Sequence, residues 1–158
     1  MTSARPSFIA DEMLGSLARW LRIMGYDTVY AKDRGDNVIL EAAKEEGRYL
    51  LTRDKELAAR MGEIGVYVVS DDLDAQLQQV AKRFELTADD SLVRCTVCNG
   101  ELEVVDVERA RGSVPEGALA ANSVFFVCKN CGKFYWRGTH WINIRKKLES
   151  LSQQNQSR

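Results

Sequence analysis

The sequence predicts an α/β fold with a parallel sheet, followed by a small four-cysteine module that ends in a helix. Short apolar runs alternate four times with stretches of helical periodicity, which is typical of parallel strands joined by helices. The pattern changes near residues 86–91, and all four cysteines lie beyond that change. We therefore assign residues 1–88 to the α/β core, 92–151 to the cysteine module with its helix, and 152–158 to a disordered tail.

The core is predicted to contain four strands, each followed by a helix. The strands are short and apolar, and we place them at Phe8–Ala10, Asp27–Ala31, Leu50–Thr52 and Gly65–Val69. The helices have apolar residues at intervals of three and four, and we place them at Glu12–Tyr26, Asn37–Gly47, Lys55–Gly62 and Asp72–Phe84. Arg19 and Arg22 are predicted on the polar sides of the first helix, and Asp36 is predicted to cap the second.

The cysteine module is predicted to contain a hairpin and one further strand. Glu101–Val107 and Ser123–Val127 have the composition of two hairpin arms, and Phe134–Arg137 resembles a third strand. The Gly/Pro/Ala-rich stretch Gly112–Ala121 is predicted to be a loop, and Trp141–Leu151 a short terminal helix.

Composition excludes several functional classes and indicates a location. A net charge of −1 over 158 residues excludes a polybasic nucleic-acid binder, although a local basic face remains possible. No apolar run approaches the roughly 20 residues that span a bilayer, and the N-terminus lacks the apolar segment of an export signal. We therefore expect a cytoplasmic protein, in which cysteines more often bind metal than form disulfides.

The cysteines form two Cys-x-x-Cys motifs, Cys95-Thr-Val-Cys98 and Cys128-Lys-Asn-Cys131. This spacing lets a tight turn direct two thiolates at one tetrahedral zinc ion, and the glycine after each pair, Gly100 or Gly132, permits the unusual φ of that turn. A redox-active pair is disfavoured because neither motif follows a strand and opens a helix. Four thiolates would close the coordination sphere, so the zinc is predicted to be structural.

Acidic residues follow every predicted strand: Asp11, then Asp33 or Asp36, then Asp54, then Asp71 or Asp72. Because the ends of parallel strands meet at one sheet edge, these carboxylates are predicted to converge there and to hold Mg²⁺ or Mn²⁺. Each of Asp36, Asp54 and Asp72 also stands where it would cap a helix. Further candidates are Thr52, to orient a water or phosphate, and three arginines for phosphate contact, Arg19, Arg34 and Arg53.

Several of these motifs together resemble the Mut-seven C-terminal RNase-domain family, a PIN-like domain fused to a zinc ribbon. They are Phe8-Ile-Ala-Asp11, Gly47-Arg-Tyr-Leu-Leu-Thr-Arg-Asp54, the two cysteine motifs, and Tyr135-Trp-Arg-Gly-Thr-His-Trp141. The resemblance implies a PIN-like, parallel-sheet, three-layer α/β core followed by a four-cysteine zinc ribbon and a terminal helix. It also implies RNA cleavage by Mg²⁺- or Mn²⁺-activated water. Its catalytic acids would be Asp11, Asp54 with Thr52, and either Asp36 or Glu41, with Asp72 or Asp71 as a fourth.

The C-terminal segment offers candidates for substrate contact. His140 and Trp141 fit the family's C-terminal signature, and aromatic side chains there could stack on bases while basic residues attract phosphates. Aromatic packing of the ribbon against the core is the reading that we favour. The predicted partner is RNA, either single-stranded or structured.

Two other functions agree with the same residues. A non-catalytic RNA- or ribosome-associated module would use the acids only as helix caps. A receiver-like phosphoacceptor would also place acids after the first and third strands, but it would need a fifth strand followed by a lysine, which we cannot place before the cysteines.

Overall fold

A four-stranded parallel sheet forms the centre of the core in this computed structural model, which describes residues 5–87, 94–138 and 140–156, without the side chains of residues 140 and 152–156. Its strands are β1 (Phe8–Asp11), β2 (Thr28–Ala31), β3 (Tyr49–Thr52) and β4 (Gly65–Tyr67). They lie in the order β2-β1-β3-β4, with β1 parallel to both β2 and β3. The predicted α/β class with a parallel sheet is confirmed.

Helices cover both faces of this sheet, and they are α1 (Gly15–Ile23), α2 (Asp36–Glu46), α3 (Lys55–Arg60) and α4 (Leu73–Phe84). Neighbouring strand residues point to opposite faces, so Phe8 and Ala10 pack with α1 and α4, while Ile9 packs with α2 and α3. The apolar runs of the central strands are therefore buried on both sides, as expected in a three-layer arrangement.

Two predictions about α1 and α2 are wrong. The first helix begins as a 3-10 turn at Glu12–Leu14 and becomes α-helical only at Gly15. Gly35, not Asp36, caps α2, because the extended Gly35 carbonyl already accepts from the amides of Val38 and Ile39. Asp36 is consequently the first residue of the helix.

The cysteine module is an antiparallel sheet in the order β5-β6-β7, with strands β5 (Leu102–Val105), β6 (Phe125–Cys128) and β7 (Phe134–Tyr135). This confirms the predicted hairpin, although its strands are shorter. The predicted loop Gly112–Ala121 is wrong from Glu116 onward, because residues Glu116–Ala121 form the short helix α6, and another short helix, α5 (Val107–Ala110), lies before the predicted loop. Asp106 caps α5, and the alanine-rich run after Pro115 favours helix more than its glycine disfavours it.

The terminal helix α7 (His140–Gln156) is longer than predicted. It continues through Ser152–Gln156, because no glycine or proline ends it after Leu151. The predicted disordered tail is therefore wrong for these residues. Leu148 and Leu151 join the apolar cluster around α1 and α4, whereas Trp141 packs on Phe126 of β6. The helix thus contacts both the core and the cysteine module. Within the described ranges, no helix is long and apolar enough to cross a membrane.

Candidate functional site

The carboxyl ends of β1 and β3 carry the side-chain contact that defines the candidate site. Thr52 is fully buried, and its hydroxyl Oγ1 donates to Asp11 Oδ2 at 2.8 Å. The two strands are neighbours, while the connections after them run in opposite directions along the sheet. This is the switch point where open α/β sheets bind ligands. The structure therefore brings together the two residues that end the central strands.

Backbone amides fix the carboxylates at this edge. Asp11 Oδ1 accepts from the amide of Glu12 at 2.7 Å, and the amide of Asp54 donates to Thr52 Oγ1 at 3.0 Å. Asp54 also caps α3, since its Oδ1 accepts from the amides of Glu56 and Leu57. Asp54 is therefore both the acid that follows β3 and a helix cap.

The remaining predicted acids make no hydrogen bond with Asp11 or Thr52 within the described ranges. Asp72 caps α4 by accepting from the amide of Ala75 at 3.1 Å. Four of these acids have exposed side chains: Asp33, Asp36, Glu41 and Asp71. Among the described residues, no three acids are close enough together to ligate one ion directly; only the cysteines are.

The predicted phosphate-binding arginines lie apart from one another. Arg53 Nη1 donates to the carbonyl of Val69 at 3.1 Å. Arg34 lines a cleft with Cys98 and Asn99, and Arg19 lines another cleft beside β7. Neither cleft includes Asp11 in its lining, so the structure does not gather these arginines around Thr52.

The four cysteine thiols form a compact cluster in which all Sγ atoms lie within 4.8 Å of one another. Cys98 and Cys128 are 3.4 Å apart, Cys95 and Cys131 are 3.7 Å apart, and none is in a disulfide. One tetrahedral ion with Zn–S bonds of about 2.3 Å fits such a set of donors. The prediction that the four cysteines gather at one place, as a metal-binding cluster requires, is confirmed.

The pKa values of two thiols in the cluster, Cys98 and Cys131, differ widely. The Asn130 amide beside Cys98 lowers the pKa of that thiol to about 6. Although the Lys133 backbone amide favours the Cys131 thiolate, burial and the neighbouring thiols raise the pKa of Cys131 to about 12. Four thiols so close together cannot all ionise unless a cation offsets the repulsion between the thiolates, and a bound metal ion would be such a cation.

The two glycines after the cysteine pairs serve different purposes. Gly132 has φ +80°, as we predicted from the turn. At Gly100 the prediction is wrong, because the positive φ of that turn, 69°, belongs to Asn99. Gly100 is required for space: a Cβ there would lie 2.8 Å from Cys128 Sγ and 3.2 Å from Cys98 Sγ.

The joint between the first cysteine turn and the core was not predicted. Arg22, which we placed on a polar side of α1, is buried and donates to the carbonyls of Thr28, Thr96 and Val97. Asn99 accepts from the amide of Thr28 at 3.0 Å and donates to Asp27 at 2.6 Å. The only signal of this joint in the sequence is weak, namely an arginine beside the apolar stripe of a helix.

The aromatic side chain of Trp141 packs the terminal helix on the antiparallel sheet of the cysteine module. Trp141 is 7% exposed and packs on Phe126, so most of its ring is unavailable to a base. The backbone of His140 begins α7, and its side chain lies outside the described part of the structure.

Together these features define a class of protein, a parallel α/β domain with acids at its switch point and a four-cysteine metal-binding module joined to it. The Mut7-C RNAse domain family matches residues 6–148, nearly the whole chain, and the chain belongs to that family. The resemblance that its motifs predicted is confirmed. No curated protein and no solved structure matched the chain.

Proposed function

We propose that this protein is a metal-dependent ribonuclease that hydrolyses RNA phosphodiesters at the edge formed by β1 and β3. The observation that carries the proposal is the hydrogen bond from buried Thr52 to Asp11 at the switch point of a domain from an RNase family. Membership of the family supports a nuclease-related role with RNA as substrate. The PIN-like character of the core and cleavage of single-stranded or structured RNA belong to the same proposal.

The oxygen donors at this edge suit Mg²⁺ or Mn²⁺. Such ions are often held by one or two carboxylates plus waters and substrate phosphates, so a close group of three acids is not required. Asp11 would be the main ligand, with Asp54 beside it and Asp36 or Glu41 from α2. When bound, the ion would lower the pKa of a coordinated water and offset the charge that develops on the phosphate.

The chain's own residues would hold the site in place. Thr52 keeps Asp11 in one orientation by donating to Oδ2, which leaves lone pairs on both carboxylate oxygens for a ligand. We assign structural zinc to the thiol cluster, because four thiolates leave no open position for chemistry. Its four reduced thiols agree with a cytoplasmic location, which we also propose.

The test is cleavage of a panel of single-stranded and structured RNAs as Mn²⁺ or Mg²⁺ is added. Asp11→Asn and Asp54→Asn remove a charge while keeping groups of the same shape, and asparagine caps a helix about as well as aspartate. Both variants should therefore fold and lose cleavage. Asp72→Asn makes the same change at the cap of α4 and tests whether Asp72 is a fourth acid.

The third acid is decided on α2. Glu41→Gln and Asp36→Asn are compared with Glu45→Gln, an exposed glutamate one turn after Glu41 on the same helix. Whichever of Asp36 and Glu41 is a ligand should raise the Mn²⁺ concentration needed for half-maximal cleavage, while Glu45→Gln should not.

Three results would contradict the proposal. Wild-type cleavage by Asp11→Asn would exclude Asp11 as the main ligand. RNA binding that is indifferent to Mg²⁺, without cleavage of any substrate, would indicate a non-catalytic RNA-binding module. Labelling of Asp54 by acetyl phosphate would indicate a receiver-like phosphoacceptor.

A further inference from the structure

A cleft of about 240 Å³ lies between the C-terminal half of α1, strand β7 and the start of α7. We call it the ribbon cleft, and its lining residues are Arg19, Ile23, Thr96, Lys133, Phe134, Tyr135, Trp136, Trp141 and Ile144. Arg19 lies in the middle of α1 and Ile23 is the last residue of α1, whereas Asp11 lies before the first residue of that helix. The ribbon cleft is therefore separate from the edge where we place cleavage.

The shape of the ribbon cleft suits a small flat group. Phe134, Tyr135 and Trp136 are consecutive aromatic residues, each half-buried, that contribute to its wall. Its volume is below the roughly 300–1,000 Å³ of pockets that enclose drug-sized ligands. It is thus better suited to one base than to a whole nucleotide or a folded partner.

The charge of the ribbon cleft suits an anion at its rim. Arg19 is exposed and has no hydrogen bond or ion pair with another residue in the described ranges. Lys133 is also exposed, and its ammonium lies 5.2 Å from the ring centroid of Tyr135 without a carboxylate partner among the described residues. Among the residues that the structure describes, no Asp or Glu lines the cleft. Two cations beside aromatic rings are the combination that binds single-stranded nucleic acid.

We propose that the ribbon cleft binds one unpaired base of single-stranded RNA, with Arg19 and Lys133 contacting the adjacent phosphates. The choice of RNA rests on the proposed function, since the substrate of the other site is RNA. A base within a duplex is stacked and paired and cannot enter the cleft, so the site selects unpaired segments. It would anchor a substrate at one end of α1 while Asp11 acts near the other.

Binding is measured by fluorescence anisotropy with a labelled short single-stranded RNA and with the same RNA as a duplex. The protein is the whole chain with zinc bound and with the substitution Asp11→Asn, so that the probe is not cut. Trp136→Leu should weaken single-strand binding by about fivefold or more, because stacking contributes about 1–3 kcal/mol per base.

Arg19→Gln and Lys133→Gln should each weaken binding, and each should reduce the salt dependence of log K by about 0.7, the value for one phosphate of a single strand. Lys44→Gln is the matched control, because Lys44 is an exposed lysine of α2 on the opposite face of the sheet. It should bind like the parent. Circular dichroism and zinc content are measured for every variant, since Trp136 also packs against residues of the cysteine module.

Unchanged affinity in both folded charge variants, or equal affinity for the duplex, would overturn the proposal. If wild type cleaves RNA and Arg19→Gln binds and cleaves equally well, the ribbon cleft fails while the proposed nuclease stands. If single-stranded RNA binds through Arg19 and Lys133 but no RNA is cleaved, the cleft stands and the nuclease fails.

Discussion

Thr52 connects folding and the proposed chemistry through a single hydroxyl group. Its Oγ1 accepts from the amide of Asp54 and donates to Asp11, so it holds the acids that follow two strands in relation to each other. The residue is fully buried, which makes the loss of either partner costly. It is a positioning residue for the carboxylate of Asp11.

Replacing Thr52 separates these two roles. Thr52→Val keeps the shape but leaves the Asp54 amide without its acceptor, so the free energy of unfolding should fall by about 1–3 kcal/mol in urea titrations. Metal-dependent cleavage should fall by about 10–100-fold, as is usual when a residue that orients a metal ligand is lost. Thr52→Ser costs about 1 kcal/mol for the missing methyl group and should retain cleavage. Equal cleavage by the two variants would contradict the positioning role.

Position 100 requires glycine because there is no space for a Cβ beside the thiols. The Cβ of Gly100→Ala would lie 2.8 Å from Cys128 Sγ and 2.9 Å from Asn130 Cβ, so the cysteine turns must move apart. We expect the zinc content of the purified protein to fall. Gly117→Ala is the control, because nothing lies within 4 Å of its Cβ and alanine favours the helix α6. Full zinc occupancy in Gly100→Ala would contradict the argument.

At the scale of elements, strands and motifs were predicted best where a local sequence pattern allows only one structural interpretation. β1 and β3 could be recognised because a buried apolar run ends in acids, and the thiol cluster because ligand spacing is restrictive. Helix α6 was missed because Pro115 and Gly117 are also typical of loops, and α5 was missed because four residues are too few to show helical periodicity. Asp11 and Thr52 could be placed at one edge, whereas the positions of the α2 acids depend on helix rotation, which short-range pattern does not fix.

Arg22 joins two elements that are distant in sequence. From α1 it donates to the carbonyls of Thr96 at 2.9 Å and Val97 at 3.3 Å in the first cysteine turn, and to that of Thr28, the first residue of β2, at 2.8 Å. A buried guanidinium with three carbonyl partners fixes the turn on the core, because separating them would cost these hydrogen bonds and leave the guanidinium unpaired.

Arg22→Met should therefore lower the free energy of unfolding by about 1.5–3 kcal/mol, the value for a hydrogen bond to a charged group. Arg19→Met on the same helix should change it by less than about 0.5 kcal/mol, since Arg19 is exposed. Removal of zinc by a chelator should destabilise the wild-type core more than the Arg22→Met core. An equal effect of the chelator on both would show that Arg22 does not transmit the state of the cysteine turn.

At the scale of the whole molecule, the proposed catalytic site and the cysteine module lie at opposite ends of the strands of the parallel sheet. Asp11 ends β1, whereas the contacts of the cysteine turn are to Asp27 and Thr28 at the start of β2, which is paired in register with β1. Four residues of strand separate the two ends by about 13 Å. The thiol cluster therefore stabilises the protein from the side that does not carry the proposed chemistry.

Asp27 is the charged centre of this joint, and its protonation should weaken it. Its carboxylate accepts from Arg48 at 2.8 Å and from Asn99 at 2.6 Å, with Arg94 at 3.9 Å. Burial opposes ionisation, but the hydrogen bonds from Arg48 and Asn99 prevail and hold the pKa of Asp27 below its ordinary value of 3.8. The stability that Asp27 contributes is consequently complete above pH about 4 and is lost as pH falls through the lowered pKa of the folded state.

The measurement is the free energy of unfolding of wild type and Asp27→Asn as a function of pH. Zinc is also lost in acid, because the thiolates become protonated, so zinc content is measured at each pH and the two proteins are compared at equal content. We expect wild type to be the more stable at neutral pH and the difference to shrink only below pH about 4. Asp74→Asn removes a carboxylate that pairs with Lys147 between α4 and α7, and it should leave this low-pH dependence in place. A difference that stays constant down to the acid limit would mean that the charge of Asp27 does not hold the cysteine turn against the core.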